Sequence, residues 1–117
     1  MKGYNKKMSE YSYRVLKIYI NEKEHYEGRP LHEWIIHKAQ EKNILAATVI
    51  RGMEGIDTKH KLHSIKLLTL SIDLPLKIEI IDTRDKIKDF HNIMNGILEE
   101  GIITVEKIKA QVFSRNE

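Results

Sequence analysis

The chain contains no cysteine. Disulfides, thiolate metal sites and a cysteine nucleophile are thereby excluded, and the absence accords with a reducing compartment. Proline is nearly as sparse, with only Pro30 and Pro75 in 117 residues, so each one marks a boundary between elements. No apolar run approaches the roughly 20 residues that a membrane-spanning helix needs. The opening MKGYNKKMSEYS lacks the apolar stretch of a signal peptide. A cytoplasmic protein is expected. A strong excess of one charge is also missing: 20 Lys and Arg against 17 Asp and Glu leave +3, with acids and bases alternating almost throughout. Nucleic-acid domains concentrate their basic residues on one helix or face, so nucleic acid is not the expected partner.

What remains is the composition of one soluble globular domain, 41% hydrophobic and 32% charged. Residues 1–12 are polar and aperiodic, a tail; residues 13–113 carry the domain, and 114–117 form a short polar end. From Tyr13, the β-branched and aromatic run Val15, Leu16, Ile18, Tyr19 and Ile20 predicts a first strand. Gly28 and Pro30 then set Pro30 at the first position of a helix, whose apolar stripe is Leu31, Trp34, Ile35 and Ala39 and whose left-handed cap is Asn43. The nearly continuous apolar run Ile44–Ile50 predicts a buried central strand.

Further along, Ser64–Leu70 and Leu76–Ile81 predict two strands forming a hairpin arm, with Pro75 at a strand start. Thr83 is a candidate cap for a second helix lined by Ile87, Phe90, Met94 and Leu98 and closed by Gly101. Ile102–Phe113 is the last strand. Strand, helix and strand thus occur twice, LKIYINE to NILAATVI and LKIEIID to GIITVEKI. The expected fold is α+β, a ferredoxin-like split βαβ (βαββαβ) with an extra strand or hairpin arm. Such an arm would present an exposed edge to pair with another subunit, so a homo-oligomer is expected.

The stretch Ile50–Asp82 concentrates the chemistry. Arg51, Lys59, Lys61 and His63 surround Gly52 and Gly55, with His60 beside them. Glycines let backbone amides approach a ligand, arginine grips two phosphate oxygens and lysines add point charges. These six residues, Arg51, Gly52, Gly55, Lys59, Lys61 and His63, are the candidate binding site for an anionic effector. The spacing is neither a P-loop nor a dinucleotide fingerprint, and a solvated basic turn has the same composition. His60 and His63, three apart, suit a metal by type but lack an evident third ligand. No nucleophile elbow, carboxylate pair or metal triad indicates an enzyme. Lys77–Ile81 carries no aromatic for base stacking, which argues against an RNA-recognition sheet.

The ordered motifs IYIN, GRPL, ATVIRGMEG, LHS, DLPLKIEIID and EEGIITVE, spread over Leu16–Phe113, resemble the domain-of-unknown-function 190 family, a PII-like group. Gly28, Pro30, Leu31, Ala47, Thr48, Arg51, Gly52, Gly55, His63, Leu74, Pro75, Asp82 and Gly101 match its pattern; Asp57 stands where a second loop glycine is usual, and Lys61 where arginine is. The resemblance implies a non-enzymatic signalling protein, trimeric like PII proteins, that binds an adenine nucleotide between subunits and moves its loop against a target. It also implies a membrane partner such as a CrcB-type fluoride exporter. The loop lacks the tyrosine that PII proteins proper carry as a modification site. A non-catalytic assembly oligomer and a CutA-like metal-binding protein are the alternatives.

Overall fold

The computed structural model describes residues 12–66 and 72–115. Its elements, in chain order, are β1 (Tyr13–Asn21), a small ribbon of β2 (His25–Tyr26) and β3 (Arg29–Pro30), α1 (Leu31–Glu41), β4 (Ala46–Arg51), a hairpin of β5 (Glu54–Ile56) and β6 (Leu62–Ser64), β7 (Pro75–Thr83), α2 (Arg84–Ile97) and β8 (Ile102–Ile108). The four long strands form one antiparallel sheet in the order β4-β7-β1-β8. With α1 and α2 as crossovers, this is the ferredoxin-like βαββαβ arrangement, and the β2–β3 ribbon and β5–β6 hairpin are additions to it.

Alternation decides which face of the sheet is covered. Leu16, Ile18 and Ile20 of β1 and Leu76, Ile78 and Ile80 of β7 are buried, and they meet Leu31, Ile35 and Ala39 of α1 and Ile87, Phe90 and Met94 of α2. Burying each large side chain contributes about 1.5–3 kcal/mol, so this double layer is the main stabilising feature. The intervening residues form a second, helix-free face. There the register aligns Ile50, Lys77, Tyr19 and Ile102 in one row across all four strands. Ile50, Tyr19 and Ile102 are 42%, 39% and 50% exposed.

Several expectations are corrected. Among the described residues the run Ile44–Ile50 becomes an edge strand, not a central one: β4 pairs there only with β7, and β1 and β7 hold the centre. Ala47 and Val49 pack on the core while Leu45 and Ile50 stay exposed, so the apolar run is covered on one face only within the single chain. The basic loop itself folds into a hairpin, with Gly55 opposite His63 and Ile56 opposite Leu62; the expected strand Ser64–Leu70 falls mostly on residues 67–71, which lie outside those described. Pro30 is the cap residue of α1 and Leu31 its first residue, whereas Asn43 does take the expected left-handed conformation, φ +56°. Helix α2 ends at Ile97, because Leu98 turns extended, and β8 stops at Ile108.

Thr83 occupies the cap position of α2 without a side-chain capping bond. The working side chain is its neighbour. Asp82, buried beneath the junction, accepts the Thr83 amide at 2.6 Å and the Leu45 amide at 2.8 Å, and so ties the entry to β4 to the end of β7. Asp82→Ala leaves two amides without their acceptor, and a loss of about 1–3 kcal/mol is expected. Urea denaturation at fixed protein concentration measures it, and a change below about 0.5 kcal/mol would refute a structural role for this carboxylate.

Candidate functional site

The β5–β6 hairpin folds back over the start of β7. The Gly52 amide donates to the Pro75 carbonyl at 2.8 Å, and a Cβ added at Gly52 or Gly55 would come within 3.1 or 3.2 Å of the Pro75 ring. Both glycines are thus where the proline packs against the hairpin backbone. At the tip, Asp57 organises the turn: its Oδ1 accepts the amides of Lys59 and Lys61 at 2.8 and 3.0 Å. Its own amide donates to the Lys61 carbonyl, and His60 takes φ +63°. An Asp that bonds its following amides is a turn former in its own right.

Behind the tip lies His63, only 4% exposed. Its Nε2 is 2.8 Å from Asp57 Oδ2 and its Nδ1 2.8 Å from the Asp73 carbonyl oxygen. Asn21, at the end of β1, donates a side-chain amide hydrogen bond to the same Asp57 oxygen at 3.2 Å. The hydrogen bond from His63, followed by the Lys61 amide, holds the Asp57 carboxyl well below the usual carboxylate range. Burial draws the His63 imidazole down, but Asp57 and Asp73 outweigh it and the net shift is upward.

The hairpin tip forms one wall of a cleft of about 310 Å³, whose other walls are the end of β1 and the turn leading into β8. Ile20, Ile56, Leu76 and Ile102 give it an apolar floor, and Asn21, Glu24, Asp57, His60 and Glu100 supply polar groups. Lys59 reaches across to Glu100 at 3.0 Å and joins the tip to the opposite wall. Burial, then the nearby charge of Glu100 and Asp73, pushes the Glu24 carboxyl upward. Among the described residues, no group of three or more His, Asp or Glu side chains is placed to hold a metal ion, and no helix is long and apolar enough to cross a membrane.

The pattern of the domain-of-unknown-function 190 family, described as an uncharacterized ACR, matches residues 13–110. The chain belongs to this family. Relatives include two UPF0166 proteins of Aquifex aeolicus, one 33% identical over 82% of this chain and 90% of its own length, the other 28% identical over 81% and 93%. A UPF0166 protein of Methanocaldococcus jannaschii is 30% identical over 63% of this chain and 68% of its own length. In three dimensions the chain is similar to CPII of Thiomonas intermedia, a nitrogen regulatory PII-like protein solved with ADP, AMP and bicarbonate. The TM-score is 0.61 at 13% identity, over 92% of this chain and 94% of that one. That likeness establishes a PII-like fold for this family member.

The six residues singled out in the sequence do not converge on one point. None of them lines the cleft. Arg51, at the end of β4, is drawn to Glu22, and Lys59 to Glu100. Gly52 and Gly55 meet at Pro75, His63 is enclosed behind the tip, and the Lys61 residue is exposed while its amide closes the turn. Lys59, Lys61 and His63 instead hold together the hairpin tip that forms one wall of the cleft. The lining residues Asn21, Glu24, Asp57 and Glu100 come from three separate segments, Asn21 and Glu24 sharing the end of β1 and the turn after it. Asn21 and Glu100 lie in the motifs IYIN and EEGIITVE, and Asp57 stands out as a departure from the family's loop pattern, but none is among the site residues singled out in the sequence.

Proposed function

We propose that this family member is a PII-like regulatory protein of the cytoplasm, without catalytic activity, that binds a small effector in the cleft beside the hairpin. The observation that carries the reading is the cleft itself: about 310 Å³ lies within the roughly 300–1,000 Å³ range of small-molecule sites, and one wall is a loop that an effector would contact directly. An adenine nucleotide is the proposed effector. The apolar floor suits a base, Asn21 and the carboxylates accept or exchange hydrogen bonds with its edge, and His60, Lys59 and Lys61 stand at the tip for phosphate. ADP and AMP in the PII-like protein of Thiomonas intermedia support the same choice.

Regulation requires that the effector bind one hairpin arrangement better than another, since equal affinity shifts nothing. Bound effector would displace or reinforce the Lys59–Glu100 bridge, and the hairpin, with Met53, Ile56 and Ile65 exposed, would present a changed surface to its target. A membrane transport protein of the fluoride-exporter type is the proposed class of target. The helix-free face bearing Ile50, Tyr19 and Ile102 would be covered by self-association into a trimer, bringing a neighbouring subunit toward the cleft. An assembly protein without an effector would use the same face.

Calorimetric titration with ATP, ADP, AMP and cyclic AMP, with oligomer mass measured in parallel, tests the reading. Saturable binding is expected, weakened at least tenfold by Ile102→Asp, which sets a charge on the apolar floor at a half-exposed edge position, and less by Arg51→Ala at the rim. Silence from all four nucleotides in a folded oligomer would leave assembly as the function.

A further inference from the structure

The surroundings of His63 fix its protonation state by geometry. Both ring nitrogens lie 2.8 Å from oxygen acceptors, Nε2 from the Asp57 carboxylate and Nδ1 from the Asp73 carbonyl. A carbonyl has no proton to give. Asp57 has none either, because its two oxygens already accept from the amides of Lys59 and Lys61 and from the Asn21 side chain. A neutral imidazole carries one N–H and one lone pair, so it can satisfy only one of these acceptors. Both bonds hold together only when both nitrogens carry protons.

We propose that His63 is a proton-operated catch: as an imidazolium it clamps the β5–β6 hairpin to the 72–74 segment, and on losing its proton it frees the hairpin and the cleft wall that the hairpin forms. The two bonds join different parts of the molecule. Asp57 belongs to the hairpin tip, whereas Asp73 is anchored to the domain body through its own side chain, which accepts the Lys23 amide at 3.0 Å. Deprotonation therefore turns one bond, at one end of the clamp, into a lone pair facing a lone pair. The tip keeps its internal turn through the Lys59 and Lys61 amides, so the hairpin would move as a unit.

The charged groups around the ring, among the described residues, are few. From the hairpin comes Asp57, and from the 72–74 segment Asp73, whose carboxylate lies 3.6 Å from Nδ1. The end of β1 contributes neutral Asn21, and Glu22 there is already engaged by the Leu74 amide and Arg51. The facing groups are acidic, which favours the cation. The sign follows. A histidine whose value is raised in the folded protein gives stability that is complete below its ordinary value of 6.5 and lost as pH rises through the folded value. The catch is closed in mild acid and opens toward alkaline pH.

Nitrogen-15 NMR titration of the full chain between pH 5 and 9.5 tests this, combined with amide exchange of the hairpin. The expected result is a His63 ring with both nitrogens protonated at pH 6 and a midpoint above 6.5. The protection factor of the Gly52 amide, which donates to the Pro75 carbonyl and so ties the hairpin to β7, should fall at least tenfold through that midpoint, while those of Ile78 and Ile80 in the sheet hold. His63→Gln, which cannot titrate, should abolish the step; where that variant fails to fold, Asp57→Asn should lower the His63 midpoint. A single-tautomer neutral ring at pH 6, hairpin protection independent of pH, or a step that survives in His63→Gln would each overturn the catch.

Discussion

Phe90→Ala should lower the unfolding free energy by about 3–5 kcal/mol, the largest effect expected of any truncation in this chain. Phe90 is 1% exposed and sits midway along α2 between Ile87 and Met94, where the helix meets the buried residues of β1 and β7. Removing the ring forfeits its transfer energy and leaves a cavity that two rigid layers cannot close. A domain of this size is stable by roughly 5–15 kcal/mol in total, so the variant approaches the limit of folding. Urea denaturation at fixed protein concentration measures the loss as a shift of midpoint with an unchanged slope. Phe90→Leu, which refills part of the volume, should cost markedly less. A loss below about 1 kcal/mol for alanine would mean that α2 is not seated on the sheet as described.

Gly101→Ala is expected to be nearly as damaging, for a different reason. The residue takes φ +124°, and an added Cβ would fall 2.4 Å from the Tyr19 carbonyl oxygen and 3.2 Å from an Ile20 methyl. The obstructing oxygen belongs to backbone in the central strand and cannot swing aside. Backbone strain of about 1–3 kcal/mol adds to whatever displacement of β8 relieves the clash, giving a total on the order of 3 kcal/mol or more. Because Gly101 and Ile102 line the cleft, the displacement should also impair the proposed binding of an effector there. Gly96 provides the contrast: it lies within α2 with nothing within 4 Å of an added Cβ, so Gly96→Ala should stabilise by about 0.5–1 kcal/mol. Thermal unfolding of the two variants side by side separates a glycine required by crowding from one that is merely tolerated. Equal effects would refute the close approach at Tyr19.

The basic loop shows how charge alone misleads about a site. Arg51 and Lys59 look like free cations in the sequence, but each lies beside a carboxylate far along the chain, Glu22 and Glu100. Gly52 and Gly55 look like a phosphate cradle, yet their lack of side chains admits Pro75. His63 suits a metal by residue type, or a hydrogen bond to the returning strand, and the structure takes the second course: it is enclosed between Asp57 and the Asp73 carbonyl. Exposed ion pairs of this kind are individually weak, about 0–1 kcal/mol. They can therefore exchange partners readily, as the proposed effector binding would require of this wall.

The α+β class, the two helices and the inward faces of β1 and β7 are legible in the residue pattern alone. Those are local properties: period-two alternation at Leu16, Ile18 and Ile20, and helical stripes such as Ile87, Phe90 and Met94, record which side of each element avoids water. The residue pattern also marks the family through its spaced glycines and prolines. Packing in three dimensions sets the rest: β4 at the edge of the described sheet, the basic loop as a hairpin, Gly101 against β1 at the start of β8, and Glu24, Asp57 and Glu100 in one cleft. Strand order and the meeting of residues many positions apart depend on how the crossovers pack. An apolar run has the same composition whether its second face is covered by a neighbour or left open, and a lysine has the same composition whether or not a distant carboxylate comes to meet it.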